Sequence, residues 1–558
     1  MPGTAHGGLL AARALLDAGI DTLFALPGHH IHALFDGARE AGLRLVVTRH
    51  EENAVLMAGG FALATGRPAA AAVTAGPGLT NALPGVAELQ ASGIPVVVLA
   101  GRTGVGLRNR GAVQDVDQLG IVAPVTTWRA ECLETGRIPD LVAGAVHQAR
   151  TGAPGVAYLE IAEDVFSAAA AVEDLDRPVG YAEPSRSRPT DEEIAGAVAM
   201  LSGARRPAVL AGSGAFFSGA AGALARFAER TGIPVITTSA ARGLLPDDHP
   251  ASAGSLVHGG VALASADVSL VLGSRFNANL VYGGLPLFSS DQQVIQVDVR
   301  PEHTGGSRRP ALALTGDVAA TLDALTAAWE APADRFSEWL ADARGAARAS
   351  VAGWREDGDA PAHGINPGRL ARESANFAAG LGPHTFVTDG GDTVVWGLAL
   401  SGAAAAGRVM TIGSAMGTLG VGLPFAVGAK VARPDEPVVL LTGDGAFGMS
   451  AMELDTAARH GLPVTVVVVN NGGWVEDIEP SAPSAGDPAW VRSTMRYDLL
   501  GEAVGGHGER ITRPEEIGPA LERAAAANRE GRVAVIDAIC DPHAQSAFMM
   551  NMKALDLL

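Results

Sequence analysis

LLTGDGAFGMSAMELDTAARHGLPVTVVVVNNGGW, residues 440–474, reads as a strand end, a glycine turn, a helix, a second strand and a second turn. The apolar runs at its two ends are short and unbroken, as in strands covered on both faces, while the segment between them has helical spacing. Gly443 and Gly445 let the backbone approach an anion closely, and the N–H groups at the start of the following helix, at Ala446, are placed to receive phosphate oxygens. Asp444 offers a hard anionic oxygen, and Asn471, at the next strand end, offers another. Magnesium favours such oxygens when it shares them with phosphates rather than sitting in an all-protein cage. A strand followed by a glycine turn is common by itself. The Asn470–Asn471 pair at a second strand end, after the 24 residues 446–469, gives this turn a partner.

The same alternation extends along the chain. Apolar runs at 45–48, 95–99, 208–211, 268–272, 438–441 and 464–469 are separated by longer helix-like segments, the pattern of parallel βαβ units. In open sheets of this kind ligands gather beyond the carboxyl ends of the strands. Polar, proline-bearing stretches at 173–193 and 355–369 divide the chain, so the expected architecture is α/β, with three doubly wound parallel-sheet domains at 1–170, 190–335 and 365–545 and a tail at 546–558. With 47% apolar and 18% charged residues there is ample material for such cores. A formal charge of −19 without a clustered basic run excludes nucleic acid and an anionic membrane surface as expected partners. Cys132 and Cys540, the two cysteines, cannot build a disulfide framework or a thiolate-rich metal site. The opening MPGTAHGG lacks the basic and apolar regions of a secretory signal, and no apolar run reaches membrane-span length. The expected location is cytoplasmic.

The GDG and NN pair at its spacing resembles the thiamine-diphosphate motif. By that resemblance Asp444, the Asn471 side chain and the Gly473 carbonyl hold Mg²⁺ on the diphosphate, and Trp474 follows them at the cofactor. VVTRHEENAVLMAGGFALATGRPA (46–69) resembles the segment carrying the family's activating glutamate, which implies that Glu51 hydrogen-bonds N1′ of the aminopyrimidine as a proton-relay partner. Glu52 is expected at the surface and His50 in a structural role. TAGPGLTNAL (74–83) resembles the glycine-rich turn of the pyrimidine-binding domain, with Gly76, Pro77, Gly78 and Asn81 lining the cleft. IGSAMGTLGVGLPFAVGAK (412–430) resembles the segment that bends the cofactor, with Leu419 as the apolar wedge, Met416 its rival, and the Gly417 carbonyl facing the 4′-amino group.

The resemblance covers nearly the whole chain, in the domain order of acetolactate synthase, oxalyl-CoA decarboxylase, 2-hydroxyacyl-CoA lyase and benzaldehyde lyase. It implies a homodimer or homotetramer with the active site between subunits, acting on small carbonyl or acyl-CoA substrates. LPGHHIHALF (26–35) and RGAVQDVDQLGIVAPVTTW (110–128) look closest to the lyase and carboligase members. There His30 and Gln114 take the places of a histidine and a glutamine over the reacting carbon, with Pro27 and Gly28 beside the cofactor. The acetolactate synthases usually carry a second arginine shortly after the RF of VLGSRFNANLVYGG (271–284), and a phenylalanine where Val113 stands. Both departures make acetolactate synthase the second reading. The middle domain resembles the family's nucleotide-type domain and is left open between FAD, the ADP of a CoA moiety, and nothing; Asp298, in VIQVDVRPEH (294–303), is the expected ribose contact. A thiamine-family regulator with a decayed site and a thiamine–FAD oxidase are the other classes weighed.

Overall fold

The computed structural model describes residues 4–171, 180, 181, 183, 185–411, 416–473 and 495–549. The first sheet runs through β2 (Thr22–Ala25), β3 (Arg44–Val47), β4 (Ala69–Val73), β5 (Val96–Arg102), β6 (Trp128–Cys132) and β7 (Val156–Ala162), in spatial order β3-β2-β4-β5-β7-β6. A small antiparallel pair, β1 (Thr4–His6) with β8 (Ala169–Ala171), joins the two ends of this unit. The second sheet comprises β9 (Pro207–Ala211), β10 (Val235–Thr237), β11 (Ser252–Ser255), β12 (Val268–Leu272), β13 (Gln293–Asp298) and β14 (Leu312–Thr315), in order β11-β10-β9-β12-β13-β14. The third comprises β15 (Thr385–Asp389), β16 (Val409–Met410), β17 (Val438–Gly443), β18 (Thr465–Asn470), β19 (His507–Ile511) and β20 (Ala534–Ile539), in order β16-β15-β17-β18-β20-β19. All pairings within the three large sheets are parallel. The α/β architecture with three parallel-sheet domains is therefore as expected from the alternation of the sequence.

Strand order also fixes where ligands can sit. Each sheet reverses its direction of growth near its middle, between β2 and β4, between β9 and β12, and between β15 and β17. At such a switch point the neighbouring crossovers leave the sheet on opposite faces, which opens a crevice at the carboxyl ends. His30 and Gly76 follow the first pair of strands; in the third pair Asp389 ends β15 and Asp444 follows β17. The strands themselves are closed to water on both faces: Ala69–Val73 and Val96–Arg102 are buried throughout, and so are Val438–Leu441 and Thr465–Asn470. Continuous burial is what turns unbroken apolar runs into parallel strands.

By contacts the chain forms two compact units, 1–185 with 427–432, and 186–426 with 433–558. In the second unit the helix Ser337–Asp359 spans 23 residues and runs into the stretch 355–369 that reads as a linker. It ends shortly before Pro361, and Asn366 caps the next helix, Pro367–Gly380, by accepting from the Gly368 N–H. His258 ties the helix Leu256–Ser265 to two others, with Nε2 2.8 Å from the Ala399 carbonyl and Nδ1 3.2 Å from the Ser350 hydroxyl. Burial lowers its pKa from 6.5 to about 4. The unfolded chain therefore binds this proton first as pH falls, so stability is retained above about pH 6.5 and lost between 6.5 and about 4, by up to roughly 3 kcal/mol. The thermal midpoint of wild type should accordingly fall more steeply across that window than that of His258→Gln; parallel curves would remove His258 from the account.

Candidate active site

In the first unit three turns from neighbouring strand ends carry the expected residues. After β2 the chain passes through Pro27 and Gly28 into the short turn His29–Ile31. A methyl group at Gly28 would lie 2.4 Å from the Thr74 Cβ, and one at Gly101 would lie 2.6 Å from the His30 Cβ. Only bare backbone allows the turn to pack this closely against β4 and β5. His30 is thereby buried, with Nδ1 3.2 Å from the Thr74 hydroxyl. Its pKa is lowered by burial and, more weakly, by His29, while Glu163 acts to raise it. The ring is thus held neutral, able to accept a proton from a hydroxyl.

After β3, His50 caps the helix Glu51–Thr65 by accepting from the Glu52 N–H at 3.3 Å. Glu51 is the first residue of that helix and is buried, and its Oε2 accepts from the Asn81 Nδ2 at 3.1 Å. A methyl group at Gly78 would stand 3.7 Å from Oε1, so the glycine keeps the flank of the carboxylate open. Glu52 departs from the surface position expected of it. It is half-buried, Gly85 packs against its side chain, and burial raises its pKa.

Gly76, after β4, adopts φ +60°, a conformation that favours glycine, and opens the helix Pro77–Ser92. A methyl group there would meet the Gln114 Cβ at 2.8 Å and its carbonyl at 2.9 Å. Gln114 is half-buried and itself has φ +63°, an uncommon choice for a side-chain-bearing residue and one that functional sites tend to hold. Glu51, Asn81, Gly78, Gly76 and Gln114 are therefore linked contact by contact, and His30 joins them through Thr74, against which Gly78 also packs.

In the second unit β17 ends in Gly443, and Asp444 begins the helix Asp444–Ser450. Register places Gly443 beside Val469, so the Asp444 turn and the Asn470–Asn471 turn leave adjacent strands side by side. The Asp444 carboxylate is buried, accepts the Gly445 N–H at 2.9 Å and also receives the Gly472 N–H. Asn471 Oδ1 accepts from the Gly473 N–H at 3.2 Å. Asn470 turns the other way, donating to Asp537 at 2.8 Å, which leaves Asn471 as the member at the turn. Burial raises the Asp444 pKa to about 6, with Asp537 acting in the same direction. Such a carboxylate gains by meeting a cation. Among the described residues no three His, Cys, Asp or Glu side chains form a metal cluster. This donor set fits a hard ion that completes its shell with phosphate and water rather than a protein-enclosed one.

Gly417 has φ +70°, and Leu419 is half-buried while Met416 is 48% exposed. Gly420 passes so close to the Asp444 helix that a methyl group would lie 2.8 Å from the Met449 Cβ and 3.5 Å from the Ala446 carbonyl. Leu419 thus stands at the edge of the same turn. Trp474, the loop 475–490 and the tail from 550 onward lie outside the described residues.

Two parts of the site have no place in the sequence reading. Asp389 ends β15, is buried, and accepts the Gly390 N–H at 2.7 Å and the Gly422 N–H at 2.8 Å. It anchors the segment 416–422 to the switch point, where a methyl group at Gly390 would lie 3.1 Å from the Gly443 nitrogen. The signal was present as two glycines directly after the β-prone stretch TFVTD at 385–389. The second is Gln118, whose side-chain partners are all distant in sequence. In the middle sheet Asp298 ends β13, but its carboxylate already accepts the Arg300 N–H at 2.9 Å and faces His303 at 3.4 Å.

Comparison with known proteins agrees with this arrangement. Residues 5–121 match the thiamine pyrophosphate enzyme N-terminal TPP-binding domain, 194–325 its central domain and 389–538 its C-terminal TPP-binding domain. The chain belongs to the thiamine pyrophosphate enzyme family. It is 37% identical over 545 residues to a probable acetolactate synthase of Mycobacterium bovis, covering 97% of this chain and 96% of that protein. It is also 32% identical over 561 residues to a 2-hydroxyacyl-CoA lyase of Oryza sativa subsp. japonica, with 96% of each chain covered. An Arabidopsis thaliana protein of the same name is 31% identical, with 97% of each covered. No helix among the described residues is long and apolar enough to cross a membrane.

Proposed function

We propose that this chain is a thiamine-diphosphate- and Mg²⁺-dependent carbon–carbon lyase or carboligase acting on 2-hydroxyacyl-CoA, 2-hydroxyketone or aldehyde substrates. Bound thiamine diphosphate supplies the carbon nucleophile and the electron sink for cleavage next to a carbonyl. Asp444, Asn471 and the Gly473 carbonyl would hold the metal on the diphosphate, with the N–H groups of the GDG turn facing its oxygens. Glu51 holds the proton at the pyrimidine ring, while Leu419 and Gly417 set the shape of the bound cofactor. His30 takes the substrate hydroxyl proton as the bond breaks, and Gln114 orients that hydroxyl. A homodimer or homotetramer and a cytoplasmic location accompany this reading.

The observation that carries the choice of substrate is the placement of a buried His30 against Thr74, and of Gln114 against Gly76, around the Thr74–Gly78 turn. Two of the cations nearby in sequence are engaged elsewhere: Arg102 pairs with Glu160 and Glu131, and Arg108 with Glu131. A keto-acid carboxylate in a dry cleft would need such a cation. Condensation of 2-keto acids in the manner of acetolactate synthase is the second reading, favoured by the 37% identity to the Mycobacterium bovis protein. The two part on a substrate panel scored by aldehyde release and by acetolactate formation. Hydroxy compounds should be cleaved faster than pyruvate condenses, and His30→Ala should lower cleavage by about 10²-fold, within the range of general acid–base groups, while cofactor binding persists. Rapid acetolactate formation indifferent to His30→Ala would favour the second reading.

A further inference from the structure

We infer that Gln118 is a positioning residue for this chemistry, its carboxamide setting the Gly76 turn and the Gly101 backbone and, through them, Gln114 and His30. The inference rests on the roles just proposed for those two residues. Gln118 is 2% exposed and cannot itself reach substrate. Its Oε1 accepts the Gly76 N–H at 2.8 Å. Its Nε2 lies 3.1 Å from the Gly101 carbonyl, 3.0 Å from the Tyr158 hydroxyl and 3.2 Å from the Glu160 Oε2. Tyr158 in turn donates to the same Glu160 oxygen at 3.1 Å, and Arg102 donates to the other at 2.7 Å.

This network admits one orientation of the amide. Reversed, its NH₂ would face the Gly76 N–H and its oxygen would face a carbonyl and a carboxylate, so the side chain cannot flip without leaving buried groups unmatched. The two backbone groups it holds are also the two that touch the candidate catalytic residues. A methyl group on Gly76 would lie 2.8 Å from the Gln114 Cβ, and one on Gly101 would lie 2.6 Å from the His30 Cβ. Backbone this close to the two side chains leaves little room for either glycine to move without displacing its neighbour. One carboxamide therefore fixes the spacing between the carboxyl ends of β4 and β5, and with it the spacing of the glutamine and the histidine. Pairs of groups that must meet one hydroxyl need such spacing, because a misplacement of about 1 Å can cost on the order of 10²-fold in rate.

Gln118→Met keeps the length of the side chain and removes its hydrogen bonds. In enzyme loaded with thiamine diphosphate and Mg²⁺, and with acetoin and benzoin as 2-hydroxyketone probes, kcat should fall about 10²-fold while KM moves much less. Cofactor affinity and the rate of C2 proton exchange, which report on the cofactor and Glu51 rather than on His30, should stay within about twofold of wild type, well under 1 kcal/mol. Placed on a His30→Ala, Gln114→Ala background, Gln118→Met should cost nothing further. Unchanged kcat, a parallel loss of cofactor affinity and exchange, or full additivity on that background would each overturn the inference. If Gln118→Met does not fold, Gln118→Glu serves. It keeps the acceptor for Gly76 and loses the donor, so kcat should fall at neutral pH and recover in part where a protonated carboxyl can donate to Gly101; a flat profile counts against the inference. His30→Ala and Gln114→Ala distinguish the two levels. If they leave hydroxyketone cleavage intact, the proposed function fails and this inference with it. If they impair it while Gln118→Met does not, the positioning role alone fails.

Discussion

Glu51→Gln is expected to bind thiamine diphosphate and yet slow exchange of its C2 proton by on the order of 10²-fold or more, the scale of a lost acid–base group. The substitution keeps the shape of the side chain and one oxygen. Asn81 Nδ2, 3.1 Å from Oε2, retains an acceptor if the new amide turns its oxygen that way, so the helix start and the Thr74–Gly78 turn should hold their places. What disappears is the negative charge. A glutamate beside a ring nitrogen stabilises the protonated ring, and a neutral amide does not. Gly78 puts no side chain on that flank of the carboxylate, where a methyl group would stand 3.7 Å from Oε1. Deuterium exchange followed by quenched-flow NMR on the cofactor-loaded variant measures the effect directly. Exchange at the wild-type rate would move the activating role away from Glu51.

How far the sequence carried this picture depended on the range of the interaction. The GDG turn, the NN pair, the TAGPG turn and the RHE segment are local: each is a strand end followed by a few residues whose backbone freedom or side-chain oxygen has meaning by itself. All of them occupy the carboxyl ends of parallel strands, where the structure puts them. The Asp389–Gly391 turn is equally local, but it has no spaced partner in the sequence to single it out. Its importance comes from β15 and β17 flanking a switch point, and strand order cannot be read from a single run. Gln118 was further out of reach. Its partners Gly76, Gly101, Tyr158 and Glu160 lie 17 to 42 residues away, and a glutamine surrounded by Asp117, Leu119 and Gly120 looks like any polar residue at a helix start. In the dividing stretch 355–369 the helix from Ser337 carries on through Asp357, Gly358 and Asp359, where Gly358 packs directly on the Gly368–Arg369 backbone. Glu52 shows the limit of local reading: expected at the surface, it packs against Gly85 and is half-buried.

Asp444→Ala is expected to lower the affinity for thiamine diphosphate by more than 10²-fold, and excess Mg²⁺ is not expected to restore it. The carboxylate is 4% exposed and its burial raises its pKa to about 6, so in the metal-free protein it carries a charge that its surroundings disfavour. Two N–H groups, from Gly445 and Gly472, offset part of that cost, and Asp537 adds to it. A divalent ion bridging Asp444 and Asn471 to a diphosphate would neutralise both anions at once, and neither Asn471 nor a backbone carbonyl can supply the missing charge. Loss of an outer-sphere partner of a metal already costs roughly 10–100-fold, so loss of an anionic ligand should exceed that range. Asp444→Asn separates charge from architecture. Its carbonyl oxygen can still accept the Gly445 and Gly472 N–H groups, so the turn should fold as in wild type, and the loss of affinity should nonetheless approach that of the alanine variant. Titration calorimetry at fixed Mg²⁺, repeated after chelation, gives the numbers. Wild-type protein stripped of Mg²⁺ should resemble both variants, whereas Asp444→Asn binding the cofactor as tightly as wild type would place the metal elsewhere.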